Sequence, residues 1–308
     1  MSLGYQNRDA AVVDYQLWQA WPDGDWLRGP APPSLATGSY FAAVGAAQTF
    51  GCFVAEPWPA LLARQLGLPA LNLGIAGAGP AWFRREPVRA LLANARFVVF
   101  QVMSGRSADN SCFRGGGRER VRFADGRELG ADAAWREVLQ RNLAGVTNPL
   151  ARGLRNRFSA WFGRRDARDL VRETRADWQR QFAALLGETA SPKLLLWWSR
   201  RRPDYRARYH SLAAMFGEFP QLVDRSMVEH LRPLANDYVE CVTRRGSPQL
   251  LVDRHSGAPT SVQPAAAGTG EDPAVRWQHN AYYPSPAMHE DAAAALLAPA
   301  RKLLAGAG

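Results

Sequence analysis

Cysteine is scarce in this chain of 308 residues. The three cysteines, Cys52, Cys112 and Cys241, stand far apart. A disulfide framework needs an even set of cysteines, and a zinc site needs closely spaced ligand pairs. The sequence therefore excludes a fold held together by disulfides and a cysteine-based metal centre, and we expect neither a metal nor another cofactor.

Long apolar runs are also missing. The longest, residues 97–102 and 194–198, have the length of a β-strand, whereas a membrane-spanning helix needs about 20 apolar residues. A secretory signal has a basic stretch followed by an apolar one, and residues 1–16 do not show this pattern. We therefore expect a cytoplasmic protein without a transmembrane segment.

Lysine is the third scarce residue. Of the 38 lysines and arginines only Lys193 and Lys302 are lysines, which leaves 36 arginines, and the formal net charge is +10. The arginines are spread along the whole chain, and no nucleic-acid-binding motif accompanies them. Because net charge reports on non-specific contacts rather than on fold, we expect a small-molecule or carbohydrate ligand and no nucleic acid.

Apolar runs of strand length alternate with helical patterns over most of the chain. The predicted strands are residues 39–45, 70–73, 96–103, 193–199 and 238–242. This alternation is typical of a parallel sheet with helices on both faces. The sequence predicts an α/β fold, a three-layer doubly wound parallel sheet in the flavodoxin-like strand order 2-1-3-4-5. We expect a single domain over residues 1–308.

Residues 105–190 interrupt this alternation and predict a helical insertion. Within it, residues 121–129 carry Asp125-Gly126 between strand-like flanks, which indicates a hairpin. Two apolar stripes have helical spacing and arginine-rich opposite faces; they are residues 150, 154, 158 and 161, and Leu170, Thr174, Trp178, Phe182 and Leu185. Such stripes usually pack into a core. The alternative is that the arginine-rich insertion docks on a partner or an anionic membrane.

Four segments lie where an open parallel sheet binds its ligands, at the carboxyl ends of strands or before the last helix. They are residues 45–51, 72–79, 101–106 and 280–289. The first resembles the leading block of the SGNH (GDSL-type) hydrolases, Gly-Asp-Ser-x-Thr-x-Gly. Gly45, Thr49 and Gly51 match that block, but Ala46 stands at its aspartate and Ala47 at its nucleophilic serine.

The other segments resemble the later blocks of the same family. Asn72 and Gly77 are similar to the second block, whose glycine N–H helps to bind the oxyanion, and residues 104–110 replace the third. The last block, Asp-x-x-His, keeps its histidine as His289 but has Pro286 at the aspartate. Segments from YQNRDAAVVDYQLW and GAAQTFG through VDRSMVEHLRP to YYPSPAMH also resemble a bacterial family of SGNH-like proteins over most of the chain.

The resemblance implies an SGNH-like fold without the usual nucleophile. A serine hydrolase needs an oxygen nucleophile, a base hydrogen-bonded to it, and a third group that orients the base. Ala47 supplies no nucleophile and Pro286 no orienting acceptor. By analogy with the family, we expect a protein that binds or modifies a carbohydrate or an acylated small molecule. The alternative is an active esterase or O-acyltransferase with a relocated nucleophile, Ser104 or Thr49, acting with His289.

The candidate catalytic residues are therefore His289, Ser104 and Thr49. The candidate ligand-binding residues are Gly45, Ala47, Gln48, Asn72, Gly74, Gly77, Gln101 and Tyr283. To orient the imidazole of His289 we expect Asp253 or a backbone carbonyl, and less readily Asp291. Further alternatives are a helix-capping role for Thr49, a thiol reaction at Cys52, an aromatic wall formed by residues 282–284 with Trp82, and an anion clamp at residues 200–202.

Overall fold

The computed structural model of this protein describes residues 2–144, 152–263 and 276–306. The strands are β1 (Phe41–Gly45), β2 (Ala70–Gly74), β3 (Val98–Gln101), β4 (Phe113–Gly115), β5 (Arg120–Phe123), β6 (Glu128–Gly130), β7 (Lys193–Ser199), β8 (Asp237–Val242), β9 (Gln249–Leu250) and β10 (His279–Asn280). The helices are α1 (Ser2–Asp9), α2 (Ala47–Phe50), α3 (Trp58–Leu66), α4 (Val88–Asn94), α5 (Ala131–Ala144), α6 (Arg152–Glu188), α7 (Leu212–Phe216), α8 (Arg225–Leu231) and α9 (Pro286–Ala305), with 3₁₀ turns at Pro80–Arg84 and Arg232–Leu234.

The central sheet has five strands in the order β2-β1-β3-β7-β8. All four neighbouring pairs are parallel. In chain order this is the predicted 2-1-3-4-5 arrangement, so the predicted fold class is confirmed. The sequence shows the reason, because β1 (FAAVG) and β3 (VVFQ) are mostly continuous apolar runs. Every residue of both strands is buried, as parallel strands covered on both faces must be.

Successive residues of the strands point to opposite faces and build two separate cores. On one face, Val44, Phe100 and Trp197 pack with residues of α4, α6 and α8. On the other face, Ala43 and Trp198 pack with residues of α3 and α9. The result is three layers, helix–sheet–helix, and the carboxyl ends of the strands open between α2 and the start of α9.

The segment between β3 and β7 is not purely helical. It contains a three-stranded antiparallel sheet, β4-β5-β6, whose β5–β6 pair is the predicted hairpin. The predicted stripe at Leu170, Thr174, Trp178, Phe182 and Leu185 is buried, so it packs into the core. The stripe at residues 150–161 lies outside the described side chains. The longest helix, α6, has 37 residues, but none of the helices described is long and apolar enough to cross a membrane.

Candidate functional site

The first glycine-rich segment brings helix α2 close to the sheet. β1 ends at Gly45, and α2 begins two residues later. A Cβ on Gly45 would overlap the Thr49 hydroxyl, and a Cβ on Gly74 would overlap the backbone of Phe50. Both glycines are therefore required for the close approach of α2 to β1 and β2. This packing role explains them without a ligand.

A buried hydrogen-bond network occupies the polar side chains below α2. The Thr49 hydroxyl donates to Gln101 Oε1 at 2.7 Å. Asn72 Nδ2 donates to the carbonyl of Thr49 at 3.1 Å, and Asn72 Oδ1 accepts from the N–H of Gly74 at 2.9 Å. The N-cap residue of α2 is Ala46 and that of the following helix, α3, is Pro57, so the expectation that Thr49 caps the helix after it was wrong. Thr49 lies inside the helix, and its hydroxyl faces Gln101.

His289 is fully buried at the start of α9. Its Nδ1 accepts a 2.9 Å hydrogen bond from the backbone N–H of Trp58, and its ring packs against Trp198 with centroids 4.7 Å apart. Trp58 is the first residue of α3, and the first N–H groups of a helix have no partner within it. The preceding residue, Pro57, carries no side-chain acceptor, so the imidazole of His289 takes the place of a cap.

This hydrogen bond fixes the tautomer of His289. A neutral imidazole that accepts at Nδ1 carries its proton on Nε2, whereas the base of a serine hydrolase needs a free lone pair on Nε2. Burial, together with the smaller effect of the nearby charge of Arg28, lowers the pKa of His289 from 6.5 to about 3. His289 is therefore a neutral donor at Nε2, and that nitrogen has no hydrogen-bond partner among the described residues.

None of the groups expected to orient His289 contacts it. Asp253 Oδ1 accepts from the backbone N–H groups of His255 and Ser256. Asp291 accepts from the Thr243 hydroxyl and from Arg245. The expectation of a carboxylate or a carbonyl partner was therefore wrong. A backbone N–H holds Nδ1 instead, because the start of α9 packs against the start of α3.

The two candidate hydroxyls are not brought together with the imidazole. The Ser104 hydroxyl accepts from the backbone N–H of Arg106 at 3.3 Å, which is the turn role that a serine at a strand end often has. Thr49 is committed to Gln101. Since Nε2 of His289 has no partner within the described part of the chain, neither hydroxyl is hydrogen-bonded to the histidine.

Three other predicted ligand-binding residues lie in packed surroundings. Ala47 and Tyr283 belong to one apolar cluster with Phe53. The Tyr283 hydroxyl is 3.2 Å from that of Tyr5, so its ring serves this cluster rather than an open wall. Gly77 has a φ of +66° and approaches Glu119 too closely for a Cβ. The positive φ and the close approach to Glu119 explain why a glycine stands at position 77, as close approaches do at Gly45 and Gly74.

The arginine triplet and the cysteine also have structural surroundings. Arg201 donates to the carbonyls of Glu218, Pro220 and Val223, and burial lowers its pKa to about 10. It holds a loop together and is not free to clamp an anion, which was the alternative considered for residues 200–202. Cys52 is fully buried, and burial raises the pKa of its thiol, which makes it inert as a nucleophile.

A small cavity of about 30 Å³ lies at the carboxyl end of β7 beside α2 and α9. Its lining residues are Gln48, Trp198, Ser199, Arg200, Phe219, Tyr282, Pro284 and Met288. Gln48 is the one member of the predicted ligand-binding set that lines it, and Gln48 Oε1 is buried without a partner among the described residues. Tyr282 and Pro284 belong to the segment for which an aromatic wall was considered, whereas Trp82 does not line this cavity. Trp198 was missed as a ligand contact, although it stands near the end of a predicted strand at the expected edge of the sheet.

Arg28 is a further buried polar residue that the sequence did not single out. Its guanidinium donates to the carbonyls of Val54 and Ala55 and lies over the ring of Tyr15, 4.6 Å from the ring centroid. Nη1 has no partner within the residues described. No pattern around Arg28 distinguishes it in the sequence from 35 other arginines. In the ranges that the structure describes, no group of three or more histidines, cysteines or acidic residues could hold a metal ion.

Comparisons with known proteins add the following. A crystal structure from Lactobacillus plantarum has 10% sequence identity and a TM-score of 0.42, and the match covers 87% of this chain and 98% of that one. A candidate SGNH hydrolase from Slackia heliotrinireducens has 17% identity and a TM-score of 0.37, over 85% and 98% of the two chains. The lipase Lip_vut3 from a goat rumen metagenome has 11% identity and a TM-score of 0.33, over 83% and 96%. A search of curated proteins found no match. A family model described as "Domain of unknown function (DUF6473)" matches residues 4–304, and this chain therefore belongs to that family.

Proposed function

We propose that this protein binds a small hydroxyl-bearing ligand of the carbohydrate class, with or without an acyl group, and does not hydrolyse it. The observation that carries the proposal is the hydrogen bond from the Trp58 N–H to Nδ1 of His289. It leaves Nε2 protonated, so the imidazole cannot remove a proton from a hydroxyl there. With alanine at position 47 and proline at position 286, the nucleophile and the orienting acid of an acyl-transfer site are replaced, and the histidine that remains cannot act as the base.

The cavity beside α2 supports the binding half of the proposal. Gln48 Oε1 is a buried acceptor without a partner among the described residues, and a ligand O–H or N–H is the group that would satisfy it. At about 30 Å³ the cavity admits one small polar group such as a hydroxymethyl. The rest of the ligand would lie outside.

The rim of the cavity suits the remainder of a sugar. Tyr282 is 50% exposed and lines the opening, and an exposed aromatic ring offers a flat apolar surface with a polar tip. Arg200 lines the same opening and is anchored by a 2.6 Å hydrogen bond to the carbonyl of Ala281. An aromatic face beside a fixed donor is a combination that can pack against the C–H face of a sugar and bond its hydroxyls.

A relocated nucleophile gains no support from the positions of the candidate residues. The Thr49 hydroxyl donates to Gln101, and Ser104 accepts from Arg106. A hydroxyl activated by a histidine would lie within hydrogen-bond reach of its Nε2. The binding hypothesis is therefore preferred to the esterase or acyltransferase hypothesis.

The experiment has a catalytic arm and a binding arm. In the first, the full chain and its His289→Ala variant are incubated with p-nitrophenyl acetate, and we expect both to match the buffer rate. In the second, saturation-transfer NMR follows glucose and N-acetylglucosamine. We expect signals that disappear in Gln48→Ala and weaken in Tyr282→Leu but persist in Gln65→Ala, a control at an exposed glutamine of α3.

Two results would contradict the proposal. Hydrolysis that requires His289 would return the protein to the esterase class. Sugar signals that are absent, or that survive Gln48→Ala unchanged, would remove the cavity from the function.

A further inference from the structure

A second and larger concave site lies on the other side of the sheet from α9, where α6 packs against α8. It is an open groove of about 400 Å³, within the size range of about 300–1,000 Å³ that is usual for small-molecule sites. The lining residues are Arg168, Val171, Arg172, Arg175, Ala176, Gln179, Tyr209, Asp224, Ser226 and Met227. Nothing in the proposed carbohydrate site uses these residues.

Three arginines form one line along the groove. Arg168, Arg172 and Arg175 stand at positions i, i+4 and i+7 of α6, so they share one face of the helix. The rise of about 1.5 Å per residue spreads them over roughly 10 Å. A row of guanidinium groups on this scale can meet two or three phosphate groups of a single ligand.

Among the residues that line the groove, Asp224 is the one acidic residue, and its carboxylate is already occupied. Asp224 Oδ1 accepts from the Ser226 hydroxyl at 2.6 Å and from the Met227 N–H at 3.2 Å. Asp224 Oδ2 pairs with Arg175 Nη1 at 2.9 Å. This leaves Asp224 no capacity to neutralise the other two arginines of the groove.

The other two arginines of the row, Arg168 and Arg172, are available for a ligand. Arg172 pairs with Asp169 at 2.7 Å, and its side chain is 77% exposed, so this pair is worth little in water. Arg168 is exposed, and no carboxylate among the described residues lies within ion-pair distance of it. The third arginine, Arg175, is fixed by a hydrogen bond to the carbonyl of Leu222.

Carboxylates flank the groove on the side of α8. On the adjoining face of α8, Arg225 is paired with Asp204 at 2.5 Å and lies near Glu229 and Glu240. A long polyanion such as a nucleic acid, or a membrane surface, would meet these carboxylates as well as the arginines. The charge distribution therefore favours a small anion that fits inside the groove.

The floor of the groove provides an apolar surface beside the charges. The Arg168 guanidinium lies over the ring of Tyr209 at 5.4 Å, and Val171 and Met227 are buried. Guanidinium groups bind phosphate oxygens in a bidentate manner, and an aromatic ring packs against a flat base. We propose that this groove binds a small organic phosphate that carries a ring, of the nucleotide class, with its phosphates on the α6 arginines and its ring against Tyr209.

Calorimetric titration of the full chain with ADP tests the proposal. We expect Arg168→Gln and Arg172→Gln each to weaken ADP binding by about tenfold or more, since a hydrogen bond to a charged group is worth about 1.5–3 kcal/mol. Arg180→Gln is the matched control, because Arg180 lies on the same helix, is 71% exposed and pairs with Asp177 outside the groove. Equal thermal unfolding curves for the three variants would show that folding is preserved.

Further probes separate the parts of the ligand. Tyr209→Leu is expected to weaken ADP but to leave inorganic pyrophosphate unchanged. An equal loss in Arg180→Gln would mean that only net charge matters and would overturn the site. Tighter binding of a 20-nucleotide single strand, or of vesicles containing phosphatidylglycerol, through Arg168 and Arg172 would overturn the small-ligand assignment in favour of a polyanion.

Discussion

The backbone N–H of Trp58 donates to Nδ1 of His289 across 231 residues of sequence, at a distance of 2.9 Å. This bond joins the first residue of α3 to the first turn of α9, which pack side by side on one face of the sheet. It also decides the chemistry of the histidine, because the nitrogen that would hold an orienting carboxylate in a hydrolase is here an acceptor. This one hydrogen bond thus gives the first N–H of α3 a partner and also explains why Nε2 of His289 cannot act as a base.

The buried state of His289 predicts how stability depends on pH. Its pKa is lowered to about 3 in the folded chain from 6.5, so between these values the unfolded chain binds a proton that the folded chain does not. The free energy of unfolding should therefore fall as the pH drops from about 6.5 toward 3, with this group contributing up to about 1.4 kcal/mol per pH unit. Above pH 6.5 its contribution is constant.

Urea unfolding from pH 7.5 to 4.5 measures this slope. His289→Asn removes the titrating group but keeps an acceptor for Trp58, so its slope should be shallower than that of the parent chain. His255→Asn, at an exposed histidine, should keep the parent slope. Identical slopes in the parent and His289→Asn would show that His289 does not titrate in this way.

The glycines near α2 predict a contrast between two substitutions. A Cβ on Gly74 would overlap the backbone of Phe50, while a Cβ on Gly79 would meet no atom within 4 Å, and Gly79 has an ordinary φ of −108°. We expect Gly74→Ala to reduce the free energy of unfolding by about 3 kcal/mol or more because backbone cannot move aside. Gly79→Ala should stay within about 0.5 kcal/mol. Chemical denaturation of both variants checks this, and similar costs would refute the packing role of Gly74.

Much of the fold could be predicted because it depends on local patterns. The run at residues 193–199 is apolar on both faces, and this predicts that β7 lies inside the sheet. Together with the other apolar runs, it predicts a sheet covered by helices on both sides. Helix α1, Ser2–Asp9, had no such signal, since its mean hydropathy is low and it is held in place by contacts of Tyr5 with Phe50 and Tyr283. Those contacts are tertiary and leave no periodic trace.

The candidate site was less predictable than the fold, for a physical reason. The sequence showed which residues reach the carboxyl edge of the sheet, but hydrogen-bond partners depend on side-chain directions. Thr49 bonds to Gln101, 52 residues away, and His289 to Trp58. Neither pairing follows from spacing. The missing nucleophile at Ala47, by contrast, could be identified from one position of one motif.

The hydrogen bonds of Arg201 predict that its substitution lowers stability without changing ligand binding. Its guanidinium donates to the carbonyls of Glu218, Pro220 and Val223 from two different nitrogens, a fork that a single ammonium cannot reproduce. We expect Arg201→Lys to lower the free energy of unfolding by about 2–3 kcal/mol, since buried carbonyls lose their partners. Arg202→Lys, at an exposed neighbour, should be neutral. Thermal unfolding of both variants measures the difference, and a neutral Arg201→Lys would show that the three carbonyls find other donors.

The last prediction concerns the restoration of a serine at the position where the family resemblance places the nucleophile. Ala47→Ser returns the hydroxyl, yet we expect no esterase activity above the buffer rate, because the His289 imidazole presents an N–H at Nε2 and no lone pair to receive the serine proton. The surroundings oppose activity as well, since Ala47 is 7% exposed and packs in the apolar cluster that contains Phe50 and Tyr283. The measurement is the hydrolysis of p-nitrophenyl acetate by Ala47→Ser and by Ala47→Ser combined with His289→Ala. Activity in Ala47→Ser that is lost in the double variant would mean that the proton of the imidazole can lie on Nδ1, which leaves Nε2 free to act as a base. The tautomer assigned from the Trp58 hydrogen bond would then be wrong.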